Sequence, residues 1–167
     1  MANVNQTLAS NHLASPRVHS PVYQLGGRMR VACGTVALAT TEMEAGDTIM
    51  LAPVPTQAAI ISIKIYNDDL DSGTTVTMHV GLYADDGDAT VKDADAYASA
   101  TTDLRAAVLT GTEVAFEARN INLMGQRVWE DAGDSTDPGG HYLVGIETDA
   151  AGDTAGDLSL VITYVVD

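Results

Sequence analysis

The sequence is poor in basic residues and aromatic residues, and it contains no long apolar run. Its 167 residues include only eight Lys and Arg against 23 Asp and Glu, which gives a net charge of −15. Nucleic-acid phosphates are bound by clustered basic side chains, so this balance excludes a nucleic-acid interface on the folded body. No apolar stretch reaches the roughly 20 residues of a transmembrane helix. We therefore expect neither nucleic acid nor a membrane as a partner.

Cysteine is nearly absent, because Cys33 is the only one. A single cysteine excludes an internal disulfide and a cysteine-based zinc site. Cys33 lies in an apolar stretch, so we expect it to be a small buried core residue. The first residues also lack the charged start and apolar core of a signal peptide, from which we expect synthesis in a cytoplasm.

Motifs that carry catalysis are missing as well. There is no G-x-S-x-G elbow, no phosphate-binding glycine loop and no His-Glu-x-x-His helix. The Asp clusters in residues 68–71 and 85–88 do not fit the twelve-residue calcium loop, and they have the composition of hairpin turns. Four histidines are scattered without ligand spacing: His12, His19, His79 and His141. We expect no catalytic residue, no cofactor, no metal and no enzymatic activity.

The basic residues that exist are concentrated at the start of the chain. Residues 1–30 hold three arginines and no acid, whereas residues 31–167 hold all 23 acids. Pro16 and Pro21 disfavour regular structure before Gly26 and Gly27, which read as a hinge. Two interpretations remain open for residues 1–27: a disordered tail, or an extended arm that orders on a neighbouring subunit. We favour the arm, and we predict that it contacts its partner through Leu8, Leu13, Arg17, Val22 and Tyr23, together with Arg28 and Arg30.

From residue 28 onward the apolar residues alternate with a period of two, which is typical of β-strands. Runs that start at Ile61, at Val76, at Tyr142 and at Leu158 carry this pattern, and Val114 with Phe116 predicts another strand. One face of each run is expected to form the core: Ile61, Ile63, Ile65, Val76, Met78, Val80, Leu82, Val114, Phe116, Val144, Leu160 and Ile162. The C-terminal run is apolar on both faces toward its end, which predicts a strand that is either central in a sheet or covered by another element.

Three other segments give weaker signals. Residues 28–33 alternate, and the phase changes at Gly34, which suggests a bulge or bend. A strand from Thr48 is expected to stop at Pro53, and residues 92–110 fit either a strand or a helical turn. One helix is predicted from Ile121, Met124 and Val128, with Asn120 as its cap and Gly133 as its end, and it should bury Trp129 and Phe116.

Seven or eight short strands and one short helix predict an all-β protein, an antiparallel β-sandwich. Among sandwiches we favour a jelly roll. The domain organisation is then an extended N-terminal arm over residues 1–27 and a jelly-roll-like domain over residues 28–167.

Several segments, in this order along residues 27–167, resemble a recurring type of small structural protein encoded in tailed-phage genomes. They are GRMRVACG at residues 27–34, EAGDTIMLA at 44–52, SIKIYNDDLD at 62–71, VGLY at 80–83, VAFE at 114–117, RVWE at 127–130, DPG at 137–139 and LVITYV at 160–165.

The resemblance implies a virion component: a capsid decoration or cement protein with a β-sandwich fold, and no catalytic residues. It implies that the major capsid protein is the partner, that the protein lies on the outer capsid surface and stabilises it, and that it is made in the bacterial host cytoplasm. Because such proteins act at repeated lattice positions, we expect a homo-oligomer, a trimer or else a dimer. The alternative is a receptor- or carbohydrate-binding module of a head or tail fibre.

Overall fold

The protein folds as a jelly roll of two four-stranded antiparallel sheets, as seen in a computed structural model that describes residues 4–167. One sheet has the order β1-β8-β3-β6 and the other the order β2-β7-β4-β5. The strands are β1 (Arg28–Leu38), β2 (Thr48–Pro55), β3 (Ala59–Asn67), β4 (Thr77–Ala84), β5 (Val91–Thr101), β6 (Val108–Glu113), β7 (His141–Ala150) and β8 (Gly156–Val166). This order is that of two Greek keys wound into a sandwich, so the predicted fold class is confirmed.

The helical content is small. Residues 4–167 contain two short α-helices, α1 (Thr7–Leu13) and α2 (Val128–Asp131), and three single-turn 3-10 segments. No helix within residues 4–167 is long and apolar enough to cross a membrane. The sequence did not predict helix α1 in the arm. It predicted one continuous helix over residues 121–132, where the structure has two shorter segments. Ile121–Leu123 forms a 3-10 turn, Gly125 adopts a φ of +85°, and α2 begins only at Val128.

The core lies between the inner faces of the two sheets. It includes fully buried side chains from both sheets, such as Ile63 and Leu158 in one and Val80 and Ile146 in the other. Alternation along each strand sends every second side chain inward. Of the twelve core residues that the sequence predicted, ten are buried, and Phe116 is half-buried against the core. The exception is Ile61, which is exposed.

Strand β8 lies between β1 and β3, so the prediction of a central C-terminal strand is confirmed. Other sequence predictions were wrong. A strand was predicted at Val114 and Phe116, but β6 ends before them, at Glu113. Strand β2 was predicted to stop at Pro53, but it continues to Pro55 because it is an edge strand, where proline is tolerated.

Candidate docking surface

The chain before β1 folds back on itself. Helix α1 begins after Gln6, whose side-chain Oε1 accepts a hydrogen bond from the Leu8 N–H at 2.7 Å. Past the helix, the Val18 N–H donates to the Asn11 carbonyl at 3.2 Å, and the Asn11 amide donates to Ser20 Oγ at 3.1 Å. These bonds pair the segment after α1 with the helix itself.

The base of this segment is held on the body. The Arg127 guanidinium lies 4.5 Å from the centre of the Tyr23 ring, a cation–π distance, and its Nη2 donates to Asp167 at 3.0 Å. Gly27 approaches β8 so closely that an added Cβ would lie 2.3 Å from Val165 Cγ1. Only glycine fits at this position, so the contact between residue 27 and Val165 fixes where the segment leaves the sandwich.

A groove of about 390 Å³ runs between this segment and the body. The segment contributes Leu8 and Tyr23 to its apolar lining, and the body contributes Ile61 and Met124. Both Leu8 and Tyr23 were predicted contact residues, and the structure brings them together with two body residues that the sequence did not assign to a site.

Exposed apolar side chains are frequent in the two segments that contribute to the groove. We use the name docking surface for residues 4–27 together with the facing loop, residues 120–126. Leu13 is 69% exposed and Ile121 is 72% exposed, and further exposed apolar residues of the surface are Val4, Val18, Val22, Leu25, Leu123 and Met124. Large exposed apolar side chains at this frequency in two neighbouring segments are typical of an interaction site.

The docking surface also differs from the rest of the molecule in charge. Residues 4–27 contain one charged residue, Arg17, and residues 120–126 contain none, although the chain as a whole has a net charge of −15. An acidic protein repels an acidic partner over most of its surface. The docking surface is a region where that repulsion is weakest.

A buried ion pair anchors the loop from beneath. Arg119 Nη2 lies 3.0 Å from Asp131 Oδ1, and both side chains are almost completely buried. The same nitrogen donates to the carbonyls of Leu123 at 2.8 Å and Gln126 at 3.3 Å. One guanidinium thus ties the middle and the last residue of the loop to α2, on either side of Met124 and Gly125.

Burial raises the pKa of Asp131 to about 7, although the Arg119 guanidinium and the Tyr97 hydroxyl both act to lower it. The Tyr97 hydroxyl donates to the second carboxylate oxygen of Asp131 at 3.2 Å. Sequence reasoning missed this cluster because its members lie far apart in the chain and match no motif.

The remaining predicted contact residues are placed as follows. Leu13, Arg17 and Val22 are exposed on the docking surface, whereas Arg28 and Arg30 are exposed at the beginning of β1. The two β1 arginines do not line the groove.

The acidic clusters form turns, as their composition indicated. Asp71 accepts hydrogen bonds from the N–H groups of Gly73, Thr75 and Val76 at 3.0, 2.6 and 2.8 Å, and these bonds, that of Val76 foremost, lower its pKa. Asp86 accepts from the N–H of Asp88 at 3.0 Å. Within residues 4–167, no group of three His, Cys, Asp or Glu side chains is placed to hold a metal ion.

Comparison with known proteins gives structural likeness alone. No family model and no curated protein matches the chain. A chain of the cyanophage Pam1 capsid asymmetric unit is 21% identical, with a TM-score of 0.58 and 100% of both chains covered. A chain of the capsid of Ralstonia phage GP4 is also 21% identical, with a TM-score of 0.64 over 89% of this chain and 91% of that one. At this level of identity the likeness shows a shared fold.

Proposed function

We propose that the protein is a structural component of a tailed-phage virion, which binds the major capsid protein on the outer capsid surface and stabilises the shell. The observation that carries the proposal is the likeness to a chain of the Pam1 capsid asymmetric unit over the full length of both chains. The resemblance of residues 27–167 to small tailed-phage structural proteins supports the same assignment.

The docking surface supports the capsid as the partner. It offers exposed apolar side chains from two segments, including Leu13, Val22 and Met124, and no acidic residue. We propose that the predicted arm, residues 1–27, and the body, residues 28–167, act as distinct parts: the arm lies on the shell and the body projects from it. Arg17 then adds attraction to an acidic lattice.

Such a protein needs no turnover to act. A ligand that binds the assembled lattice better than its free subunits stabilises the assembly by mass action. We propose that the protein occupies each lattice position as a homo-oligomer, a trimer or a dimer. Each copy in the oligomer then adds its own contacts with the shell. We therefore propose a cement role, in which removal of the protein lowers the resistance of the particle to heat.

The alternative, a receptor- or carbohydrate-binding module, calls for aromatic rings exposed on loops. All eight aromatic side chains are buried or half-buried, and six of them belong to the core or pack against it: Tyr83, Tyr97, Phe116, Trp129, Tyr142 and Tyr164. This distribution favours the capsid role.

A matched pair of leucines tests the docking surface. Leu13 and Leu109 are both well exposed, at 69% and 77%, but Leu109 lies on β6, outside the docking surface. We expect Leu13→Asp to weaken binding to capsids that lack the protein, because it places a charge in the apolar contact, and Leu109→Asp to leave binding unchanged. Co-sedimentation of each variant with such capsids measures the difference.

Equal binding of the two variants would show that the docking surface does not contact the capsid. Particles that stay equally heat-resistant without the protein but no longer adsorb to cells would instead support the receptor-binding alternative.

A further inference from the structure

The sandwich has four edge strands, and three of them carry features that prevent pairing with another chain. Strand β2 contains Pro53 and Pro55, and β6 is only six residues long. Strand β5 shifts register three times against β4 and carries Asp93 and Asp95. Proline, short length, bulges and charge are the devices by which natural sheets protect their edges.

Strand β1 has none of these features. It is eleven residues long and pairs with β8 without a register shift, from Arg28 opposite Val166 to Leu38 opposite Gly156. It contains no proline and no acid. Its second edge pairs with no strand in the part of the chain that the structure describes. A long, regular, unprotected edge is a template for strand addition.

The outward face of β1 is apolar. Ala32, Val36 and Leu38 pack toward the core, so the alternate residues point away from it. Met29 and Val31 are 66% and 59% exposed. A strand added at the edge would extend this exposed apolar stripe.

We propose that the free edge of β1 pairs antiparallel with β1 of a second copy of this chain, across a two-fold axis. A two-fold contact uses the same surface on both copies. The register that pairs all eleven residues places Cys33, the central residue of the strand, opposite its equivalent on the axis. The β1-β8-β3-β6 sheet of one copy and the same sheet of the other copy then form one continuous sheet.

Charge complementarity selects the second copy and the antiparallel direction. The only charges on β1 are Arg28 and Arg30 at its start, and no ion pair of either occurs among the residues described. The first acids of the chain, Glu42, Glu44 and Asp47, follow the end of β1, and Glu42 accepts from the Ala39 N–H at 2.8 Å.

Antiparallel pairing therefore brings the arginines of each copy toward the acids of the other, whereas parallel pairing sets arginine against arginine. An acidic segment of an unrelated protein would complement the charge only at the start of β1, where Arg28 and Arg30 lie. For a chain with a net charge of −15, β1 is the edge where two copies can approach. This inference does not rest on the virion role, and it selects the dimer from the two oligomers expected.

The test is the mass of the protein in solution by analytical ultracentrifugation across a concentration series. We expect the unmodified chain and Cys33→Ser to form dimers. We expect Cys33→Lys to remain monomeric, because like charges directly opposite each other on paired strands are destabilising. Val91→Lys, an exposed position on the β5 edge, is the matched control and should keep the dimer.

A short bifunctional maleimide gives a second readout, since it should join two unmodified chains through Cys33 and should not join Cys33→Ser chains. The proposal is overturned by a chain that stays monomeric at all concentrations, by an oligomer that Cys33→Lys leaves intact, or by a dimer whose Cys33 residues do not cross-link.

Discussion

At the scale of single residues, Ile61 illustrates how one extra residue in a strand changes which side chains reach the core. The period-two run predicted Ile61, Ile63 and Ile65 as inward. The pairing of β3 with β8 shifts register between Ile60 and Ser62, which marks a bulge. Ile60 therefore takes the inward position and Ile61 points out, whereas Ile63 and Ile65 are buried as predicted.

This difference predicts unequal costs for the same substitution. Ile63→Ala removes a completely buried side chain and should lower the free energy of unfolding by about 2–5 kcal/mol. Ile61→Ala, at a position that is 36% exposed and lines the groove, should cost less, about 1 kcal/mol. Urea denaturation of both variants measures the costs, and similar values would mean that the bulge is misplaced.

The hydrogen bonds of Asp71 should make its contribution to the stability of the folded protein depend on pH. Its three backbone hydrogen bonds hold its pKa below the ordinary 3.8, so its charge stabilises the folded state above that pH. The contribution is lost as the pH falls through the lowered pKa. Asp71→Asn should therefore lower the thermal midpoint at neutral pH, and the deficit should shrink as the pH falls below 3.8. Asp85→Asn, at an exposed position, is the matched control and should change the thermal midpoint at neutral pH only slightly.

At the scale of elements, strands with one clearly buried face were predictable and the others were not. Alternating runs identified β3, β4, β7 and β8. Strand β5 was ambiguous because most of its apolar residues are alanines, and β6 was misplaced because Val114 and Phe116 meet the core from the turn after it.

Strand β1 was misread for a different reason. Met29, Val31 and Cys33 alternate like core residues, yet β1 has no register shift at Gly34, and its inward phase is that of Ala32, Val36 and Leu38. The expectation of a buried Cys33 was wrong, because Cys33 is exposed. An apolar outward face cannot be told from an inward one by periodicity, since both repeat every second residue.

The anchor of the loop at residues 120–126 predicts a pH-sensitive variant. Arg119→Met leaves the buried Asp131 without its cation, which should cost about 3–5 kcal/mol when the carboxylate is charged. Burial already raises the pKa of Asp131 to about 7, and removal of Arg119 should raise it further. A raised pKa means that the neutral form is favoured in the fold at low pH and that stability falls as the pH rises through that value.

The deficit of Arg119→Met should therefore be larger near pH 8.5 than near pH 6, roughly on either side of the raised pKa. Denaturant unfolding at the two pH values measures it. The control is Arg127→Met, which removes the ion pair with Asp167 and the cation–π contact with Tyr23 but leaves no buried carboxylate without its cation, so its cost of about 1 kcal/mol should be the same at both pH values. A pH-independent deficit would show that Asp131 stays charged throughout.

At the scale of the whole molecule, charge and exposed apolar side chains are distributed unevenly between the start of the chain and the body. The acid-free start of the chain was visible in the sequence and pointed to Leu8, Leu13 and Tyr23. The opposing half of the docking surface was not predictable, because Ile121 and Met124 read as one face of a continuous helix. The turn at Gly125 instead places them on the surface beside the arm.

The most direct test of the capsid role is an electron cryomicroscopy reconstruction of purified virions that carry this protein. We predict that the jelly roll occupies repeated positions on the outer face of the shell, with residues 4–27 and the loop at residues 120–126 against the major capsid protein. Density for the jelly roll on a tail or head fibre, with a shell surface free of it, would contradict the account.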